Sequence, residues 1–417
     1  MKSMRGKVRL QEDGRLGGSG SIRRERLVLA ALIIVLLLST DGLFGPGVRL
    51  LAATPAEELV RQQAQQLPLD SVEGFWTRLV QQYGGYFPDA RAPSFMDLLL
   101  GAKDISFPGL LQGLLKYLFH ELLYNGKLLV SIVILTIFSM LLETLQSSFE
   151  KNAVSKIAFA ISFLVLMIMA VNSFSVAIGY AKEAIGDMIH FMIAVVPILL
   201  TLLASMGNVV SVSVLHPLIV FMVHAVGTVI YFIVFPLLFF SAVLHIVSAL
   251  SDKYKVTQLA NLLRTISLAC LGIFVTVFLG VVSVQGAAGS VADGVTIRTA
   301  KYIAGNFVPV VGRLFSDASE TVIGASLLVK NAVGLAGVVI ILVICAFPAI
   351  KIIVLALIYN VAAAIMQPLG DNPMISCLET IGKSLIYVFA ALAVVGLMFF
   401  LAISIMIAAG NVSVMMR

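Results

Sequence analysis

Residues 156–176 read KIAFAISFLVLMIMAVNSFSV, an almost unbroken apolar run. A helix needs about 20 apolar residues to cross the roughly 30 Å hydrocarbon core of a bilayer, so this run is long enough to span it. Other segments of this character are predicted to enter the membrane: 127–145, 188–207, 209–250, 266–284, 336–360 and 385–409. The pattern predicts an all-α polytopic membrane protein with a bundle of about 6–8 membrane helices.

The composition of the whole chain agrees with this prediction. Of its 417 residues, 60% are hydrophobic and only 12% are charged, and the mean hydropathy is +1.04. Soluble domains carry about 25% charged residues. The chain is therefore predicted to be an integral membrane protein.

The first 53 residues form a basic tail followed by a signal-like segment. They hold nine Lys and Arg residues and four acids, so most of the formal net charge of +6 lies there. A basic segment before an apolar run holds the N-terminus in the cytoplasm. Because this role accounts for the positive charge, the charge does not indicate a nucleic-acid-binding surface, and we expect no nucleic-acid partner. The apolar run LVLAALIIVLLL (27–38) is too short to span and suits a signal peptide cleaved near Ala53. An uncleaved anchor is the alternative.

Two further regions follow the tail. Residues 54–125 are polar and carry five basic and eight acidic residues, which favours an extracytoplasmic region of short helices separated by prolines. Residues 126–417 form the membrane domain. The loops 146–156 and 251–265 are net positive, and we expect them in the cytoplasm.

Paired prolines suggest an internal duplication within the membrane domain. Pro309 follows Pro197 by 112 positions, and the Phe-Pro pairs that contain Pro236 and Pro348 have the same separation. The candidate repeats are parallel and cover residues 157–268 and 269–383. The alternative is coincidence, since prolines and small residues are common in membrane helices.

The segment 286–334 is less apolar than its neighbours and has an amphipathic helical pattern interrupted by glycine and proline. We expect an interfacial or re-entrant segment there. Broken segments at matching places in two repeats are where transporters form their pathways. The candidate conduit or packing residues are Pro197, Pro236, Gly305, Asn306, Pro309, Gly312, Pro348 and Lys351.

Lys351 is the charged residue set most deeply in an apolar run. Ionisable groups inside membranes are costly and often functional. The alternative is that its ammonium reaches along the bilayer to the interface.

The sequence has no motif of a known enzyme class: no phosphate-binding loop, no dinucleotide fingerprint, no zinc-protease motif and no serine nucleophile elbow. The three cysteines, Cys270, Cys345 and Cys377, lie in or beside apolar runs without paired spacing. We expect neither catalysis nor a metal or other cofactor.

Several stretches together resemble one family, the stage III sporulation protein AE of endospore-forming bacteria. They are DISFPGLLQGLLKYLFHELLYNGKLL (104–129), SSFEKNAVSKIAFAISFLVL (147–166), NFVPVVGRLFSDASETVIGASLLVKNAVG (306–334), and FPAIKI with NVAAAIMQPLGDN (347–372). The resemblance covers roughly residues 100–385 and brings no catalytic residues with it.

The resemblance implies a component of the transenvelope channel complex that connects mother cell and forespore after engulfment. It implies a place in the mother-cell-derived membrane around the forespore. The implied partners are other membrane and ring-forming subunits and a cytoplasmic secretion-type ATPase, besides the lipid bilayer and further copies of the chain. The alternatives are a stand-alone secondary transporter or an assembly scaffold without a conduit.

Overall fold

The computed structural model describes residues 67–87, 93–99, 107–148, 153–250, 255–307, 311–369 and 373–415. They all lie in one unit, Glu58–Arg417. The basic tail and the signal-like segment fall outside the described residues, and their assignment stays a prediction.

The described residues are helical almost throughout. Ten α-helices follow one another as α1 (Asp70–Tyr83), α2 (Phe95–Leu99), α3 (Phe107–Tyr124), α4 (Gly126–Ser148), α5 (Ala153–Ser205), α6 (Val209–Val229), α7 (Phe235–Leu250), α8 (Thr257–Phe307), α9 (Val311–Met366) and α10 (Pro373–Met415). Short 3₁₀ turns follow α1 and α9, and a π-helical turn, Ile230–Val234, joins α6 to α7.

Within the described residues, five helical stretches are long and apolar enough to cross a membrane: Ile157–Ser205, Val209–Ser248, Thr257–Thr299, Val322–Met366 and Pro373–Ser413. The pair α3 and α4, bent by 44°, would make a sixth if it counts as one span. The predicted polytopic all-α fold is thus confirmed.

The division into spans was partly wrong. Segment 156–176 was predicted as a span and 188–207 as a separate membrane segment, but both belong to the single helix α5. The residues between them, 177–187, contain no proline, and Gly costs only about 1 kcal/mol in a helix, so nothing there ends the helix. Residues 209–250 are likewise one helical path through α6, the π-helical turn and α7.

The long helices run antiparallel in succession. The chain reverses after α5 at Gly207, whose φ of 84° is a backbone conformation that favours glycine. Asn208 in this turn accepts a hydrogen bond from the Ser413 hydroxyl, so the last turn of α10 lies at the same end of the bundle. At the opposite end, the hydroxyl groups of Ser248 and Thr257 bond across the α7–α8 connection.

The π-helical turn has a cause in the sequence. Pro236 has no N–H, and its ring would clash with the carbonyl four residues earlier in a regular α-helix. The wider turn at Ile230–Val234 ends just before Phe235 and Pro236. The Ser267 hydroxyl donates to the Val234 carbonyl at 3.0 Å, which satisfies a backbone group at this irregular point.

The interfacial or re-entrant interpretation of 286–334 was wrong for residues 286–299 and 322–334, which belong to candidate membrane spans. For residues 300–321 it stays a prediction. Residues up to 307 complete α8, and residues from 311 begin α9. The small residues serve close helix packing: Gly286 lies against Ile405, and Gly334 against Ile407, with no room for a methyl group at either glycine. The helical spacing predicted for this segment agrees with the structure, but its residues belong to the long helices α8 and α9 and do not form an element of their own.

The duplication stays a prediction. Pro197 lies inside the continuous helix α5, whereas Pro309 falls outside the described residues. Pro348 lies inside the continuous helix α9, whereas Pro236 follows the π-helical turn. The paired prolines therefore have different local surroundings.

Candidate functional site

A small cavity lies where α1 packs against the middle of α5 and α9. Its volume is about 40 Å³, which is room for water. The lining residues are Leu79, Gln82, Tyr83, Tyr180, Glu183, Ala184, Asp187, Ile344, Pro348 and Lys351. We call it the mid-bundle cavity; it contains two of the residues that the sequence singled out, Pro348 and Lys351.

Lys351 is half-buried in the wall of this cavity. Its ammonium nitrogen lies 4.7 Å from the centre of the Tyr180 ring, a cation–π contact. Lys351 is fifteen residues before the end of α9 at Met366, a distance of about 22 Å along the helix. The structure thus places the charge at an internal position of the bundle and against an aromatic ring of α5.

Two carboxylates, Glu183 and Asp187, face the same cavity from α5. They are four residues apart, so they lie on one side of the helix. Sequence reasoning did not identify them, because residues 177–187 fall between two predicted membrane segments and received no assignment of their own. The signal was present in YAKEAIGD (180–187), where Tyr180, Glu183 and Asp187 recur at helical spacing between two apolar runs.

An aromatic cluster closes the cavity on the side of α1 and α3. The ring of Tyr83 stacks on Phe347 with centroids 3.9 Å apart and planes 2° apart. Tyr117 of α3 meets both rings edge-on, at 5.8 Å from Tyr83 and 4.9 Å from Phe347. The Phe-Pro pair of α9 therefore serves as a docking point for the helices that precede the long bundle.

Burial raises the pKa of Tyr83 to about 12, and the negative charges of Glu183, Asp187 and Glu121 add to this effect. The phenol is neutral at physiological pH. The cavity thus combines neutral phenol groups, two carboxyl groups and one ammonium group around a space for water. Such a set can bind water and small ions or pass protons.

Metal binding finds no support in the described part of the chain, where no group of three or more His, Cys, Asp or Glu side chains is arranged to hold an ion.

The other predicted site residues lie elsewhere. Pro197 is exposed on α5, and Pro236 is half-buried at the start of α7. Gly305 and Asn306 are in the last turn of α8, and Gly312 is in the first turn of α9. The surroundings of these last three side chains, like Pro309 as a whole, are outside the described residues.

A second polar cluster, which the sequence analysis did not identify, lies at the end of the bundle near Gly207. Lys330 of α9 is fully buried, and its ammonium donates to the Ile407 carbonyl at 2.7 Å and to the Asn411 side-chain oxygen at 3.1 Å. Both acceptors belong to α10 and are neutral. These bonds tie α9 to α10 within an apolar environment.

Asp293 of α8 is also buried. Its carboxylate accepts hydrogen bonds from the backbone N–H groups of Val210 and Ser211, at 2.9 and 3.0 Å. These groups belong to the first turn of α6, where N–H groups have no partner within the helix. The carboxylate also complements the positive end of the helix dipole. Asp293 thus caps a neighbouring helix.

Residues 91–410 match the family model described as Stage III sporulation protein AE. The chain is 52% identical over 365 residues to a protein of Bacillus subtilis (strain 168) called "Stage III sporulation protein AE", which covers 88% of this chain and 92% of the relative. No solved structure matches the chain.

Proposed function

The chain belongs to the stage III sporulation protein AE family, and we propose that it is a non-enzymatic membrane subunit of a transenvelope channel or secretion-like complex used in sporulation. The complex would connect mother cell and forespore after engulfment. The protein would lie in the mother-cell-derived membrane around the forespore. Its partners would be other membrane and ring-forming subunits and a cytoplasmic secretion-type ATPase.

One observation supports a conduit over a passive scaffold. Glu183, Asp187 and Lys351 meet at a cavity in the middle of helices that are otherwise strongly apolar. Ionisable groups within membrane helices are costly and usually mark pathways for ions, protons or substrates. A scaffold needs packed surfaces but has no need of such groups.

The experiment separates assembly from passage. Two variants of Lys351 are compared in sporulating cells. Lys351→Met roughly keeps the length of the side chain and removes its charge, whereas the control Lys351→Arg keeps the charge. We expect Lys351→Met to co-purify with the same partners from sporulating cells while forespore gene expression falls, and Lys351→Arg to retain more expression. Full expression with Lys351→Met would support the scaffold. If no partner co-purified with the wild-type protein, the proposed complex would be contradicted.

The charged cavity also favours a second candidate, a stand-alone secondary transporter. Such transporters place their sites near the middle of the bilayer, and the mid-bundle cavity has the carboxylate and ammonium groups that such a site needs. Purified protein in liposomes distinguishes the two. Solute uptake driven by an ion gradient without any partner would support the transporter.

A further inference from the structure

The five candidate spans are too long to lie within a bilayer over their whole length. They contain 40–49 residues each, which corresponds to about 60–74 Å of helix. The hydrocarbon core is roughly 30 Å thick, and even a tilt of about 40° needs only about 39 Å of helix to cross it. A large part of each long helix therefore lies outside the hydrocarbon.

Helix α4, in contrast, has the length of a single crossing. Its 23 residues correspond to about 34 Å, and its exposed side chains include Val130, Ile134 and Leu141. It follows α3 at a bend of 44°. At this bend the Asn125 amide donates to the backbone carbonyl and the carboxylate of Glu121, at 2.9 and 3.0 Å. The length of α4 thus matches the thickness of the bilayer, with a polar junction at one surface.

Helix α5 changes character where α4 begins. Only four residues separate the two helices in the sequence, and the helices pack against each other, so α4 runs back alongside α5 as far as about residue 176. Residues 157–181 contain no charged residue, and Ile161 and Ile168 are each 58% exposed. Beyond residue 181, Ile193 is the one large apolar residue that α5 exposes. The other exposed residues of 182–205 are Lys182, Glu183, Asp187, His190, Pro197, Thr201, Ala204 and Ser205.

We call the part of the bundle alongside residues 182–205 the distal half. Helix α1 packs there, since Phe75 meets Phe191 edge-on with ring centroids 5.4 Å apart. The outer side of α1 exposes Asp70, Glu73 and Arg78. Charged side chains are costly in hydrocarbon, so this side of α1 is suited to water and not to acyl chains.

The buried charges lie in the distal half as well. Lys330 and Asp293 are the charged residues buried in the described part of the chain. Gly410 of α10 lies against Lys330 and against Leu203 near the end of α5, and Asp293 caps the start of α6. Among the described residues beside α4, the buried polar residues are serines and threonines, such as Thr136. The more polar interior is therefore at the end away from α4.

Helix α3 has the pattern of a helix that lies in a membrane surface. Leu115, Phe119 and Leu123 recur every four residues and are all exposed. Lys116 and His120 are exposed on the adjacent stripe. Helices with such a pattern lie in the interface, with the apolar stripe toward the acyl chains and the polar stripe toward water. Because α3 leads directly into α4, it lies at the surface where α4 enters the bilayer.

We propose that the bilayer covers only the half of the bundle beside α4, that α3 lies in the bilayer surface with Leu115, Phe119 and Leu123 against acyl chains, and that the distal half stands in the aqueous compartment together with α1. This inference does not depend on the proposed function. From residue 176 to residue 205, α5 would extend about 40 Å beyond the hydrocarbon. The mid-bundle cavity would lie at the edge of the hydrocarbon, where a conduit meets the aqueous compartment.

Accessibility along α5 tests the position of the bilayer. In a variant of the full chain without its three cysteines, spin labels are attached to Ile161→Cys, Ile168→Cys, His190→Cys or Thr201→Cys. All four side chains are exposed on the same helix. The proteins are reconstituted into phosphatidylglycerol and phosphatidylethanolamine vesicles.

We expect labels at Ile161 and Ile168 to be more accessible to membrane-dissolved oxygen, and labels at His190 and Thr201 to a water-soluble nickel complex. A bilayer centred on the bundle would instead admit the nickel complex at Ile161. That result, or oxygen-dominated accessibility at His190 and Thr201, would overturn the proposal. Low accessibility to both reagents at either pair would also overturn it, because those side chains would then be covered by protein.

Tryptophan fluorescence tests α1 and α3. Trp76 of α1 is the single tryptophan of the chain, and phospholipids brominated in their acyl chains should quench its emission only weakly. Adding Phe119→Trp should add emission that these lipids quench strongly, whereas the neighbouring His120→Trp should be quenched less. Strong quenching of Trp76 would contradict an aqueous position of α1. Equal quenching of the two added tryptophans would contradict the orientation of α3.

Discussion

Two lysines of α9 show how single charges are accommodated in an apolar bundle. Lys330 is completely buried and donates to neutral oxygens of α10. Lys351 is half-buried beside a cavity and a tyrosine ring. The first arrangement joins two helices, whereas the second leaves the charge next to space for water. Only the second is suited to interact with a passing solute.

Asn411 is predicted to stabilise the buried Lys330. Asn411→Leu leaves the ammonium with one acceptor fewer and should lower stability by about 1–3 kcal/mol, since a buried charge loses a partner. The double variant Lys330→Met with Asn411→Leu should be more stable than Asn411→Leu alone, because both polar groups are then gone. Thermal unfolding in detergent compares the variants. A double variant less stable than the single one would contradict this role.

Tyr83 provides a test at high pH. Its pKa is about 12 in the folded protein and 10 in the reference state, so the unfolded chain loses this proton first. The stability that Tyr83 contributes is complete below pH 10 and is lost as the pH rises toward 12, by about 2 kcal/mol. Tyr83→Phe should remove this part of the loss. Unfolding of both proteins between pH 8 and 12 measures the difference; parallel curves would argue against a buried phenol.

Helix α5 illustrates how a long element carries two environments. Its 53 residues correspond to about 80 Å, more than twice the thickness of the hydrocarbon core. Its core-facing residues are mostly apolar, including Met188, Val195 and Leu199, although Ser162 and Ser173 are also buried. Its outer face changes from isoleucine and leucine to charged and small residues. One uninterrupted helix therefore positions the polar groups against α1 and α9 without a loop.

Pro197 lies in this helix with its side chain exposed. The Thr201 hydroxyl donates to its carbonyl at 2.8 Å. Because proline in a helix interior costs about 3 kcal/mol, Pro197→Ala should raise the thermal unfolding temperature. If Pro197 serves the conduit, forespore gene expression should fall in the same variant. Pro217→Ala, in α6, is the control for a helix proline away from α5; equal loss of expression in both would remove any special role for Pro197.

For the whole molecule, the antiparallel order predicts which sites share a side of the membrane. Lys255 precedes α8 at the end where α7 finishes, and Val209 begins α6 at the opposite end. The net positive charge of the loops 146–156 and 251–265 predicts that the Lys255 end lies in the cytoplasm. In the cysteine-free background, a membrane-impermeant thiol reagent should label Val209→Cys from the outside and Lys255→Cys only after the membrane is opened. The reverse pattern would invert the topology.

Sequence reasoning identified only some of the residues that form the candidate site. Lys351 and Pro348 were identified because a charge and a proline stand out in an apolar run. Glu183 and Asp187 were missed because the analysis considered the two apolar segments and not the residues between them. Segment length indicates what can cross a membrane, but it does not determine where a helix ends. Here the helix continues because α9 and α10 bury one side of it along most of its length.

The class of the molecule could be read from the residues alone: an apolar, helical, multi-pass chain of a recognisable sporulation family, because composition and apolar periodicity depend on local residue type. Which polar groups meet depends instead on how the helices pack. Tyr83, Glu183 and Lys351 lie on three different helices, and the distance between helices in space is unrelated to their separation along the chain. The same holds for Lys330 and Asn411, which are 81 residues apart. These contacts follow from side-chain packing between helices. Complementary shape and the need of each buried polar group for a hydrogen-bond partner determine which side chains come together.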